Sequence, residues 1–60
     1  MIKPWIRKLS KGYEVIIPEE DDEIIFISDE QYWALGEDNN NAITFAVQWY
    51  YDRFYGPSQT

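Results

Sequence analysis

Neither cysteine nor histidine occurs anywhere in these sixty residues. The first absence removes disulfides and thiolate metal sites, and it fits a reducing compartment. The second removes the commonest general base, the commonest metal ligand and the usual pH switch. No apolar run approaches the roughly 18–20 residues that span a bilayer, and no apolar stretch with a small-residue cleavage site follows the basic start. The reading is a cytoplasmic protein without membrane contact.

Positive charge is scarce as well. Lys3, Arg7, Lys8 and Lys11 stand in the first eleven residues, and beyond them eleven acids face a single base, Arg53. The formal net charge is −6. Such sign asymmetry speaks of partners rather than of fold.

What the chain has in quantity is aromatic side chain. Three Trp, five Tyr and three Phe occupy sixty positions, and each ring can bury roughly 150–250 Å². A disordered acidic tail lacks such residues, so the composition predicts one small folded domain, residues 1–60. Domains this short hide only about 60% of their unfolded surface, and this one has no covalent staple, so the aromatics must supply the core.

The order of elements predicts an α+β fold: a three-stranded antiparallel sheet, then a short helix, then a C-terminal amphipathic helix packed on the sheet. Residues 2–9 form the weakest strand, because Pro4 cannot donate to a ladder and belongs at an edge or bulge. Ser10, Lys11 and Gly12 signal a turn. In residues 13–17, Tyr13, Val15 and Ile17 share one face and Glu14 and Ile16 the other, and Pro18 ends the strand. The apolar run of residues 24–27 predicts a central strand covered on both faces. Between these strands residues 19–23, all acidic, are too polar to bury and form an exposed connection.

Ser28 and Gln31 have capping-box spacing, with Ile27 and Tyr32 at the staple positions. They predict a short helix through Leu35, stopped by Gly36 in a left-handed cap; the rival reading is a fourth strand over residues 32–35. After a loop of Glu37, Asp38 and three asparagines, a helix is expected from about Ala42 to Tyr55, stopped by Gly56 and Pro57. Ile43, Ala46, Val47, Tyr50 and Phe54 recur at helical spacing as its core stripe. Thr44, Gln48 and Asp52 mark its solvent side, which leaves Phe45 and Trp49 at the margin.

Catalysis is not expected. Ser10, Ser28, Thr44 and Ser58 have no histidine to activate them, no glycine-rich phosphate cradle exists, and paired carboxylates need a cleft that sixty residues rarely wrap. No cofactor is implied. A calcium loop alternates its acids around a central glycine, whereas residues 19–23 are contiguous and Trp49 stands where the terminal ligand of a loop starting at Asp38 belongs. No metal site is expected.

Binding is what remains. Five consecutive acids on an extended chain place one charge per roughly 3.3 Å, close to the 3.4 Å spacing along one DNA strand. The candidate partner-binding residues are therefore Glu19, Glu20, Asp21, Asp22, Glu23, Asp29, Glu30, Glu37 and Asp38, set against the plain alternative that acids keep an aromatic-rich domain soluble. Trp33, Phe45 and Trp49 are secondary candidates, as anchors of a protein–protein module of antitoxin-like or adaptor type. Direct nucleic-acid binding by Lys3, Arg7, Lys8 and Lys11 beside Trp5 and Tyr13 is opposed by the eleven acids, so no direct nucleic-acid contact is expected. The domain is read as a monomer or homodimer.

In its whole-chain profile of small size, acidic balance and missing chemistry, the sequence resembles the acidic, DNA-mimic type of anti-CRISPR protein carried by phages and other mobile elements. The resemblance transfers no residue roles. It implies a stoichiometric inhibitor, working in the cytoplasm of a host cell if phage-encoded, that competes with target DNA for a basic channel of a CRISPR effector complex or for the site that reads the short flanking motif.

Overall fold

The structure, a computed structural model, describes residues 3–56. Three strands, β1 (Trp5–Lys8), β2 (Tyr13–Ile17) and β3 (Glu23–Ile27), form an antiparallel sheet in the order β1-β2-β3. Two helices follow, α1 (Asp29–Ala34) and α2 (Asn39–Phe54), and α2 packs across the sheet. The protein is an α+β domain of the kind the sequence predicts.

Alternation decides which face is buried. Val15, Ile17, Ile25 and Ile27 point to α2 and pack against Ala42, Ala46 and Tyr50. Ala42 and Ala46 are fully buried, so the helix backbone comes close to the sheet where its side chains are smallest. Ile43, Val47 and Tyr51 flank this stripe. Phe54, expected in the core, is 57% exposed. It lies at the helix end and packs on the Tyr50 ring at 4.7 Å instead.

Strand order corrects a second expectation. The central strand is β2, and β3 lies at an edge. The face away from α2 carries Trp5, Ile16 and Ile24 in one cross-strand row and Arg7, Glu14 and Phe26 in the next. No helix among the described residues covers it, so Ile24 is 49% and Phe26 58% exposed, although Ile16 between its neighbours is buried. Strand β1 does occupy an edge, as Pro4 suggests. Its predicted first residue, Ile2, lies outside the described residues, as does Pro57.

The Ser28 oxygen accepts from the Gln31 N–H at 3.0 Å and starts α1, while Gly36 adopts φ 90° just after it, so the capped helix wins over the fourth strand. Helix α2 begins three residues before the expected start. Its cap is Asp38, whose side chain accepts from the Asn40 N–H at 2.8 Å. The three asparagines thus lie inside the first turn, where four N–H groups lack intrahelical partners in any case.

Gly12 holds the turn between β1 and β2 at φ 89°, and the Phe26 ring lies directly on it. A Cβ at this position would stand 2.5 Å from Phe26 Cζ and 2.8 Å from the Ile27 carbonyl oxygen. Gly12→Ala therefore combines left-handed strain with a clash, and it should cost about 1–3 kcal/mol in urea unfolding. Adding Phe26→Ala should recover only part of that loss, because the backbone strain and the carbonyl contact remain.

Candidate functional site

Acidic residues gather at both ends of β3. The chain leaves β2 through Pro18, which opens a single 3-10 turn (Pro18–Glu20), and then passes through Asp21 and Asp22, both left-handed at φ 60° and 58°. Residues 19–22 are thus coiled rather than extended, only Glu23 belongs to a strand, and the even 3.3 Å charge spacing expected from an extended run does not occur. Proline at the first position suits a helical turn, and aspartate is one of the few residues that tolerates left-handed backbone.

The coil divides the five acids by role. Glu19, Asp21 and Asp22 face solvent, while Glu23 joins β3 and is half-buried. Glu20 turns inward. Its Oε1 accepts from the Tyr55 hydroxyl at 2.7 Å and from the Tyr50 hydroxyl at 3.4 Å, and its Oε2 accepts from Tyr51 at 3.2 Å. Three phenols of α2's C-terminal end thereby clasp the turn that precedes β3. Glu20 is a structural residue first, which corrects its place among nine equivalent surface charges. The sequence signal was on the other side: phenol hydroxyls near a core need acceptors, but nothing in the sequence picks Glu20 over the carboxylates nearer to these tyrosines, such as Asp52 or Asp38.

The clasp has a pH signature. The Glu20 hydrogen bond, then burial, pushes the Tyr55 phenol up to about 12, while burial followed by the Glu20 carboxylate raises Tyr50. Burial followed by the Glu20 hydrogen bond raises Tyr51. Phenols that hold their protons more tightly when folded stabilise the fold below their unfolded value near 10. That contribution is lost as pH rises through the folded values. The urea midpoint should hold up to about pH 10 and fall between about 10 and 12, less steeply in Glu20→Gln.

At the other end of β3, Asp29 and Glu30 open α1, where the positive end of a helix suits them. Asp29 Oδ1 accepts from the Gly12 N–H at 3.2 Å and lies 3.6 Å from Lys8 Nζ, pinning α1 to the β1–β2 turn. Glu37 and Asp38 follow α1, Glu37 left-handed at φ 53° and Asp38 committed as the cap of α2. The nine acids form separate groups rather than one line. Among the described residues the ion pairs are Arg7–Glu14 at 2.7 Å and Lys8–Asp29, so the solvent-facing acids Glu19, Asp21, Asp22, Glu30 and Glu37 are uncompensated. No three of the described acids converge as metal ligands would.

Exposed rings stand among these charges. Trp33 is 71% exposed and lines a shallow hollow with Asp29, Glu30 and Ala34. Phe45 and Trp49 lie on the flank of α2, as their helical position predicts, and Arg53 stacks over the Trp49 ring at 5.6 Å. They border a groove of about 460 Å³ that is lined by every residue of β3 and by Phe54. Sequence reading missed this groove, because it depends on β3 being an edge.

No helix among the described residues is long and apolar enough to cross a membrane. Comparison with protein-family models, with curated proteins and with solved structures finds no match.

Proposed function

We propose that this protein is a non-enzymatic inhibitor that binds a cationic, nucleic-acid-binding protein surface in place of a phosphate backbone. The resemblance of its profile nominates a CRISPR effector complex as the partner. The observation that carries the reading is the set of uncompensated carboxylates on fixed backbone: Glu19 in its 3-10 turn, Asp21 and Asp22 on left-handed residues, Glu30 in the first turn of a capped helix. Uncompensated negative charges steer a cationic partner in. The separation of the acids into groups favours a partner with discrete Lys and Arg clusters over one that reads an even line of phosphates.

The test is direct competition. Purified protein at equimolar ratio should prevent a CRISPR effector from retaining labelled target DNA in a gel shift. Direct binding of the protein to the effector, measured without DNA, should weaken steeply between about 0.15 M and about 1 M salt, where the screening length falls from about 8 to about 3 Å. Undiminished DNA binding, or an affinity for the effector indifferent to salt, overturns the reading.

A second reading, an interaction module held by exposed aromatics, is favoured by Trp33, a large ring left mostly in solvent. Under it, Trp33→Ala and Trp49→Ala abolish partner capture without unfolding the domain, and the acids can be neutralised with little loss.

A further inference from the structure

We propose that the free edge of β3 is a strand-docking site, which takes an extended segment of a partner protein with an apolar, β-branched centre and lysine or arginine at both ends. Among the described residues strand β3 pairs only with β2, so along its outer side alternate N–H and C=O groups point away from the sheet. Among the described residues, none of the turn, loop, cap or side-chain hydrogen bonds reaches residues 23–27. Natural edges are blunted by proline, lysine, bulges or a covering element. This one reads Glu-Ile-Ile-Phe-Ile with regular register and no bulge.

Apolar side chains line both flanks of that edge. Ile24 and Phe26 stand exposed on the face away from α2, and Phe45, Trp49 and Phe54 border the groove on the other. An added strand sends alternate side chains to the two faces, so each flank has a set to receive. Backbone pairing and apolar pockets on both sides are the two requirements of strand addition.

Charge selects the occupant. Asp22 and Glu23 stand at the start of β3, and Asp29 and Glu30 just past its end. A second β3 laid against the first, parallel or antiparallel, sets acid against acid at both ends, and each copy brings a net charge of −6. A strand with cations at its ends meets carboxylates at both. The inference rests on the cationic-partner reading for those ends alone; the edge and its flanks stand independently.

The probe is a capped peptide of alternating valine and threonine with two lysines at each end, titrated into the full chain. Two controls accompany it, one N-methylated at every central residue and one with glutamate for each lysine. Binding of the lysine peptide should slow hydrogen exchange at the outward amides of residues 23–27. N-methylation should weaken it by roughly 10- to 100-fold, as expected for losing several backbone hydrogen bonds, and the glutamate peptide should not bind. Equal binding of the methylated peptide overturns strand addition and leaves the cationic reading intact. Equal binding of the glutamate peptide overturns the charge requirement and so the proposed occupant, while the competition with target DNA decides the proposed function separately. No protection from any peptide, or protection without peptide together with a doubled mass in sedimentation, assigns the edge no such partner or gives it to a second copy; either result overturns the proposal.

Discussion

Ile27→Ala should leave much of the protein unfolded in dilute buffer. Ile27 is 2% exposed and sits where β3 meets α2, within the cluster of Val15, Ile17, Ile25, Ala42, Ala46 and Tyr50. Truncating a buried isoleucine to alanine costs about 2–5 kcal/mol, through lost transfer energy and the cavity left behind. Total stability scales at about 0.05–0.15 kcal/mol per residue, and domains this small stand at the low end, near about 3–5 kcal/mol. The loss is therefore of the same size as the whole. Near-ultraviolet dichroism of the tyrosines and tryptophans should collapse, and the urea midpoint should move close to zero. The control is Ile24→Ala on the same strand, with Ile24 facing away from α2 and 49% exposed. Its cost should stay below about 1 kcal/mol. A comparable loss at both positions means that the outer face of the sheet is covered in solution, as it is when another copy packs there.

The contrast between these two isoleucines shows which parts of the fold the sequence could reveal. Local patterns were legible. Alternation over residues 13–17 and the proline after them fix both limits of β2, and Ser28, Gln31 and Gly36 fix the short helix by satisfying terminal N–H groups and allowing left-handed backbone. Strand order was not legible in the same way. Four consecutive apolar residues suit a strand buried on both faces, yet they serve equally an edge whose second face is open, because a neighbour that is absent leaves no mark in the local pattern. Phe54 has the helical phase of a core residue, but phase says nothing about where the sheet stops.

The candidate site divides along the same line. That residues 19–23 are charged and largely at the surface followed from composition. Which acid turns inward did not, since it depends on the Pro18–Glu20 turn reaching the far end of α2, where Tyr50, Tyr51 and Tyr55 present their hydroxyls. The marginal position of Phe45 and Trp49 came from helical phase alone. The groove that gives these rings a neighbour came from the sheet's order, and so appeared only with the fold.

That division of labour determines how the charge hypothesis is best tested, and it predicts the largest effect on binding. Simple reversal of Asp21 and Asp22 to lysine would place a long β-carbon side chain on left-handed backbone and confound charge with strain. Asparagine tolerates that backbone, so Asp21→Asn and Asp22→Asn remove charge and keep the turn. Glu19→Lys, in the 3-10 turn with its side chain in solvent, adds the reversal. Glu20 is left alone because three tyrosines depend on it. The triple variant takes one charge from each aspartate and reverses another at Glu19, moving the net charge from −6 to −2. Each charge a few ångströms from a cation is worth about 1 kcal/mol at high dielectric and more where water is excluded. Affinity for a cationic partner should then fall by roughly 100- to 1,000-fold at about 0.15 M salt, and by far less at about 1 M, where the wild type has already lost its advantage. The urea midpoint should stay put or rise, because relieving acid-on-acid repulsion removes nothing the fold uses. Trp33→Ala is the counterpart, removing an exposed anchor without touching charge. A partner lost by the triple variant and kept by Trp33→Ala binds through carboxylates; the reverse outcome makes the acids a solvated coat and the aromatic surface the site.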